Sequence, residues 1–248
     1  MMKKLFLTLL LVVLCLCVFA KARIGMLVAV EQETIFEKYG KPAKEDCFGG
    51  FNIYCYNFKK YSIYVVKSGV GELAAASAVQ ILIDKYNVEA VINFGVAGGL
   101  TPDMRLSKVC IVEKVVHYDF DLSSVDPVKK CQYPGYDDIY INTDSKLLTE
   151  AHNIFPDLRL VTCASADKFV SSEAKSALRE EFSAQICEME AAGVLLTCIR
   201  NKVPCLIIKA ISDGLTGGGE EYYMELKKSA SFCFDVTNEI IKKIYLVK

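Results

Sequence analysis

Three short stretches carry acids where chemistry could happen. Glu31 and Glu33 flank Gln32, Glu188 and Glu190 flank Met189, and Asp213 stands between Ser212 and Gly214. Each stretch follows an apolar run of strand length. A carboxylate beside such a run is costly to bury unless it is paired or put to use, so these acids either face water or hold something. Converging carboxyl groups can bind hydroxyls and move protons. Taken singly, each has a plainer reading. Glu33 suits the first turn of a helix, where the dipole favours negative charge. Asp213 suits a turn or a helix cap. Glu188 and Glu190 alternate along a strand end, so at most one of them should point into a given cavity.

Two glycine runs, S-G-V-G at 68–71 and G-V-A-G-G at 95–99, let backbone come close to a bound group. The second is not the G-x-G-x-x-G dinucleotide fingerprint, and no acid follows it at the expected distance.

The elements that must position these residues can be read from periodicity. Arg23 to Val30 is a continuous apolar strand, with a helix from about Glu31 to Tyr39. Phe51–Phe58 and Tyr61–Lys67 alternate as an antiparallel hairpin. Leu73, Ala76, Val79, Ile83 and Tyr86 recur at helical steps. Further strands are expected over Glu89–Phe94, closed by the glycine run, and over Val109–Val116, Leu158–Cys163, Gln185–Glu188 and Cys205–Ile211. Helices are expected over Asp144–Ile154, Ser172–Phe182, from Glu188 to about Arg200, and over Glu220–Tyr245. The turn-rich segment 119–142 reads as a loop that could cover a site. Strands alternating with helices predict an α/β fold: a single domain with a mixed, mostly parallel central sheet flanked by helices. Ligands in such sheets gather at strand ends.

Composition narrows the partners. The 248 residues are 52% hydrophobic and 24% charged, with a net charge of −1. That permits one large core, and it provides no basic field to recruit nucleic acid. A small molecule or a second copy of the chain is the expected partner. Lys3 and Lys4 precede an apolar run to Ala20, with small residues at Ala20 and Ala22. This is the order of an export signal over 1–22, leaving the domain at 23–248. The run falls short of the roughly 20 residues of a bilayer-spanning helix, although an uncleaved anchor stays open. Nine of the 11 cysteines follow it, with no C-x-x-C and no zinc spacing, and most read as buried free thiols.

I-G-M-L-V-A-V-E-Q-E (24–33), K-S-G-V-G (67–71), N-F-G-V-A-G-G-L (93–100), E-M-E-A-A (188–192) and K-A-I-S-D (209–213) occur in one order and spacing. Together they resemble the 5′-methylthioadenosine/S-adenosylhomocysteine nucleosidases, within the wider purine and uridine phosphorylase family. The resemblance spans essentially the whole chain after the signal. It implies that Glu33 activates the attacking water and that Asp213, placed by Ser212, protonates adenine N7. It implies that Glu190 holds the ribose hydroxyls over Met189. Phe169 would stack on adenine, with the Val170 backbone at its edge. Val96, Ala97 and Gly98 would border the substrate, while Val30, Val70 and Tyr223 would form the alkylthio pocket. Leu122 would reach a neighbouring subunit's pocket, which implies a homodimer. No metal or other cofactor is implied.

Cleaving an N-ribosidic bond requires an acid on the purine side and a base for water on the other, as paired carboxyl groups do in glycoside hydrolysis. Asp213 would have to carry its proton to the reaction, which predicts an apolar surround. Two positions depart from the resemblance: Val96 where serine is common, and Lys209 where arginine is common. Two rivals stay open, a phosphate-dependent nucleoside phosphorylase and a non-catalytic exported nucleoside-binding protein on the same fold.

Overall fold

The computed structural model describes residues 21–246. The expected signal lies outside the described residues, Lys21 and Ala22 excepted. The strands are β1 (Ala22–Val28), β2 (Lys44–Phe48), β3 (Phe51–Asn57), β4 (Tyr61–Lys67), β5 (Ala90–Gly99), β6 (Val109–His117), β7 (Tyr140–Asn142), β8 (Arg159–Ser165), β9 (Ile186–Glu188) and β10 (Cys205–Asp213). The helices are α1 (Gln32–Tyr39), α2 (Glu72–Tyr86), α3 (Ser145–Ile154), α4 (Ser172–Phe182), α5 (Ala191–Asn201) and α6 (Gly219–Leu246).

These strands form one mixed sheet. At its centre β4, β1, β5 and β10 run parallel. The hairpin of β3 and β4 is antiparallel, as its alternation predicts, and β2 adds an antiparallel outer strand. Sequence reading misses β2 because its residues, K-E-D-C-F, lie at an exposed edge with no buried face to write a pattern. The sheet also closes on itself. β5 pairs with β10, β10 with β6, β6 with β8, β8 with β9, and β9 back with β5.

That closure explains why β5 runs through the glycines to Gly99 rather than stopping at Phe94. Val96–Gly98 pair with β10, while Gly98 and Gly99 also pair with β9. The fully buried run of β10 is likewise two residues longer than expected and ends on Asp213.

Both faces of the sheet are covered. On one, Ala75, Val79 and Leu82 of α2 and Val194, Leu195 and Cys198 of α5 pack with Leu27, Val91 and Ile207. On the other, Ile35, Leu147 and Phe234 of α1, α3 and α6 pack with Met26, Ile92 and Ile208. Burying a side chain of this size contributes roughly 1.5–3 kcal/mol. Asp144 caps α3, its carboxylate accepting from the Leu147 N–H at 2.8 Å. All nine described cysteines are free, and only Cys47 is exposed.

Candidate active site

A cavity of about 370 Å³ opens where β1, β5, β9 and β10 meet. Asp213, Ser212, Glu190 and Met189 border it, with Val96, Ala97 and Gly98 on the β5 side. Phe169 and Val170 lie on a loop before α4, and Val30, Val70 and Tyr223 also line the space. Residues from seven separate stretches of chain are thus brought together. The volume lies in the range of small-molecule pockets.

Two predicted residues lie elsewhere. Glu33 is exposed on α1, and the cavity acid from this stretch is Glu31, only 5% exposed. Helix geometry gives the reason. Residues three and four apart share a face, so Glu31 falls with the buried Thr34 and Ile35, and Glu33 turns outward. Leu122 is half-buried and outside the cavity of its own chain, its carbonyl accepting from the Val125 and Asp126 N–H groups.

Glu31 is fixed by backbone. Its Oε1 accepts from the Val96 N–H at 3.0 Å, and its Oε2 from the Val30 N–H at 2.9 Å. The serine hydroxyl missing at Val96 is therefore not needed to hold this carboxylate. Gly95 makes the approach possible, since a Cβ there would lie 2.7 Å from Glu31 Oε1. Each carboxylate oxygen keeps a second lone pair for water.

Strict alternation along β10 would let only one of Ser212 and Asp213 face the cavity. A bulge solves this. Ile211 pairs with Ala97 and Asp213 with Gly98, leaving Ser212 unpaired between them. Asp213 Oδ1 accepts from the Ser212 hydroxyl at 2.9 Å. The expected apolar surround is absent. Lys175, fully buried on α4, places Nζ 2.6 Å from Asp213 Oδ2 and donates also to the carbonyls of Gly214 at 2.5 Å and Gly217 at 3.2 Å. Sequence reading missed Lys175 because a lysine within S-E-A-K-S-A-L-R reads as solvated helix.

Glu188 and Glu190 both border the cavity, against the expectation from alternation, because β9 ends at Glu188 and Glu190 already begins the turn into α5. Their partners separate them. Glu188 Oε2 meets Lys209 Nζ at 2.9 Å, and the carboxylate accepts from the Glu190 and Ala191 N–H groups. Burial opposes its ionisation, but Lys209, the Ser165 hydroxyl and the Ala191 N–H hold it below the usual range. Among the described residues, Glu190 Oε1 accepts from the Gly71 N–H alone, at 3.0 Å. Burial, and then the charge of Glu188, push Glu190 up to about 7. Burial would pull the Lys209 ammonium down, yet Glu188, Glu190 and Glu31 around it raise it well above an ordinary lysine.

Tyr222 is a further cavity residue that sequence reading missed. It stands edge-on to Phe169 with ring centroids 5.7 Å apart. Burial, and then Glu31, push its hydroxyl up to about 12.

An α/β fold that gathers Glu31, Glu190 and Asp213 around one cavity, with Phe169 and Tyr222 on its wall, has the makings of a small-molecule site. Residues 17–242 match the Phosphorylase superfamily, and the chain belongs to that family. It is 31% identical to a 5′-methylthioadenosine/S-adenosylhomocysteine nucleosidase of Buchnera aphidicola over 199 residues, 77% of this chain and 84% of that one. It is 34% identical to an aminodeoxyfutalosine nucleosidase of Campylobacter jejuni over 166 residues, 64% of this chain and 71% of that one. A crystal structure of the Helicobacter pylori 5′-methylthioadenosine/S-adenosylhomocysteine nucleosidase with butyl-thio-DADMe-Immucillin-A superposes with a TM-score of 0.84 at 28% identity, covering 90% of this chain and 99% of that one.

Proposed function

We propose that this chain hydrolyses the N-ribosidic bond of 5′-methylthioadenosine and S-adenosylhomocysteine, releasing adenine and the thioribose sugar. The observation that carries the reading is the placement of Glu31, Glu190 and Asp213 on one cavity. Adenine stacks on Phe169 with its edge at Val170, and Glu190 accepts the ribose hydroxyls above Met189. Glu31, rather than Glu33, takes a proton from water as the water oxygen bonds to C1′. The C1′–N9 electron pair leaves with the base, and Asp213, taking up a proton from solvent for each turnover, supplies the proton that makes N7–H and releases neutral adenine, while Lys175 holds the carboxylate that remains. Solvent takes the proton from Glu31 and restores that of Asp213.

Hydrolysis fits the charges better than phosphorolysis. Among the described residues Lys168 is the one cation lining the cavity, and the nearby Lys175 and Lys209 are engaged by Asp213 and Glu188. Incubation with methylthioadenosine should release adenine and the free sugar at a rate indifferent to phosphate. Ribose-1-phosphate products would point to a phosphorylase, and tight binding without adenine release to a binding protein. Comparing methylthioadenosine, S-adenosylhomocysteine, 5′-deoxyadenosine and aminodeoxyfutalosine ranks the 5′ substituents.

A homodimer completes the proposal. Val70 and Tyr223 at the mouth are 53% and 78% exposed, and an apolar rim of this kind favours a second copy that brings Leu122. Sedimentation should give twice the chain mass. Export by the N-terminal segment is also proposed. β1 begins at Ala22, so a cut after Ala20 leaves it whole, and N-terminal sequencing of the mature protein tests this.

A further inference from the structure

Beneath the sugar floor lies a group that the proposed chemistry does not use. Glu72, 7% exposed, opens α2 directly after Gly71. It meets the start of α5 in a reciprocal exchange. The Gly193 N–H donates to Glu72 Oε2, and the Gly71 N–H donates to Glu190 Oε1. Each helix start is thus held by an acid of the other. Gly193 is required here, because a Cβ would collide with the Glu72 carbonyl.

The remaining oxygen of Glu72 decides its protonation. Ser165 Oγ contacts Glu72 Oε1, stands 2.5 Å from Glu188 Oε1, and accepts from the Ala192 N–H at 3.2 Å. A hydroxyl has one hydrogen and two lone pairs. Ala192 fills one lone pair, and the single hydrogen can reach only one carboxyl group. The other carboxyl must bring its own proton to the lone pair that is left. Glu188 is the acceptor, since Lys209 and two backbone N–H groups converge on it. The proton therefore sits on Glu72.

We propose that Glu72 is a neutral carboxylic acid and a positioning residue for Glu190: its proton closes the chain Glu72–Ser165–Glu188–Lys209, leaving Glu190 ionised for the sugar hydroxyls. The assignment of Glu190 to the sugar rests on the nucleosidase reading; the proton on Glu72 does not. Charge balance agrees. Among the described residues Glu31, Glu188 and Glu190 surround the ammonium of Lys209, Glu72 lies beside Glu188 and Glu190, and four ionised carboxylates there would repel one another strongly. The groups facing Glu72 are Glu188 on β9, Glu190 at the start of α5, Lys209 on β10 beyond Glu188, Asp167 on its N–H, and Tyr118 and Tyr133. Burial, then the charge of Glu188, push Glu72 up to about 8, against the Ser165 and Gly193 hydrogen bonds.

Glutamine is the isostere of a protonated glutamate. Its amide N–H can donate to Ser165 while its carbonyl accepts from Gly193. Glu72→Gln should therefore keep KM for methylthioadenosine within about threefold of wild type, while Glu72→Ala raises it tenfold or more with a smaller change in kcat. Above pH 8 the wild-type KM should climb, and that of Glu72→Gln should stay level. A Glu72→Gln variant as impaired as Glu72→Ala overturns the proposal. A second readout needs no turnover. The infrared spectrum of folded wild type minus Glu72→Gln at neutral pH should contain a carboxylic-acid carbonyl band, and its absence refutes the assignment. Loss of the band with adenine release intact sinks this inference alone. The band without adenine release sinks the nucleosidase reading alone.

Discussion

Lys175 Nζ and Asp213 Oδ2 lie 2.6 Å apart with both side chains sealed from solvent. Removing one partner of such a pair leaves an uncompensated buried charge, which costs about 3–5 kcal/mol. Lys175→Met should lower the urea midpoint accordingly and depress turnover. Adding Asp213→Asn to it should recover part of the lost stability. Strictly additive losses in the double variant would mean that the two groups are not coupled.

Glu31 and Glu33 offer a direct contrast. Glu31→Gln should reduce kcat by about 10²–10⁴-fold, the usual scale of a lost general base. Glu33→Gln, on the exposed face of α1, should leave stability within about 0.5 kcal/mol and turnover near wild type. Steady-state kinetics on both variants decides between them, and the reverse ranking would restore Glu33 to the base role.

Phe169 is nearly half exposed and faces Tyr222. Base stacking on an aromatic ring contributes about 1–3 kcal/mol by alanine substitution. Phe169→Ala should therefore raise KM for adenine nucleosides by roughly tenfold or more, with Phe169→Tyr close to wild type. Equal KM values for the alanine variant and wild type would place adenine elsewhere.

The pH dependence has two parts. Sugar hydroxyls need Glu190 ionised, and it is pushed up to about 7 by burial and Glu188. kcat/KM should fall as pH drops through 7, and Glu190→Gln should be weak at every pH. Stability should run the other way. Glu72 and Glu190 bind their protons more tightly folded than unfolded. The native state then holds more protons from about pH 4.5 upward, and stability declines as pH rises toward 8. Urea midpoints measured across that range check the sign.

The elements legible in the sequence were those with a buried face. The β3–β4 hairpin forms where its sequence puts it, whereas in α2 the spacing marks the helix but not its inner face: Ala75, Ala78, Val79 and Leu82 pack inward and Leu73 is exposed. Most of the cavity was legible too, since its motifs sit at strand ends. What stayed hidden depends on contacts between distant segments. The reach of β5 through its glycines is set by β9 and β10. The bulge at Ser212 is set by register against β5. Lys175 looks like an ordinary helical lysine until the 213–217 turn folds over it. Glu31 and Glu33 are two residues apart, and only the start of α1 decides which one turns inward.

The place of β10 in the sheet bears on the order of events as the chain is made. It is the last of the described strands in chain order, yet it lies between β5 and β6 rather than at an edge. It also carries Asp213, while Glu31 follows the first strand. A nascent chain that has not yet released β10 lacks both Asp213 and the strand that pairs with β5 and β6. Closure of the strand ring, and with it the placing of Asp213, must await the synthesis of β10, and pairing across such sequence distances is intrinsically slow.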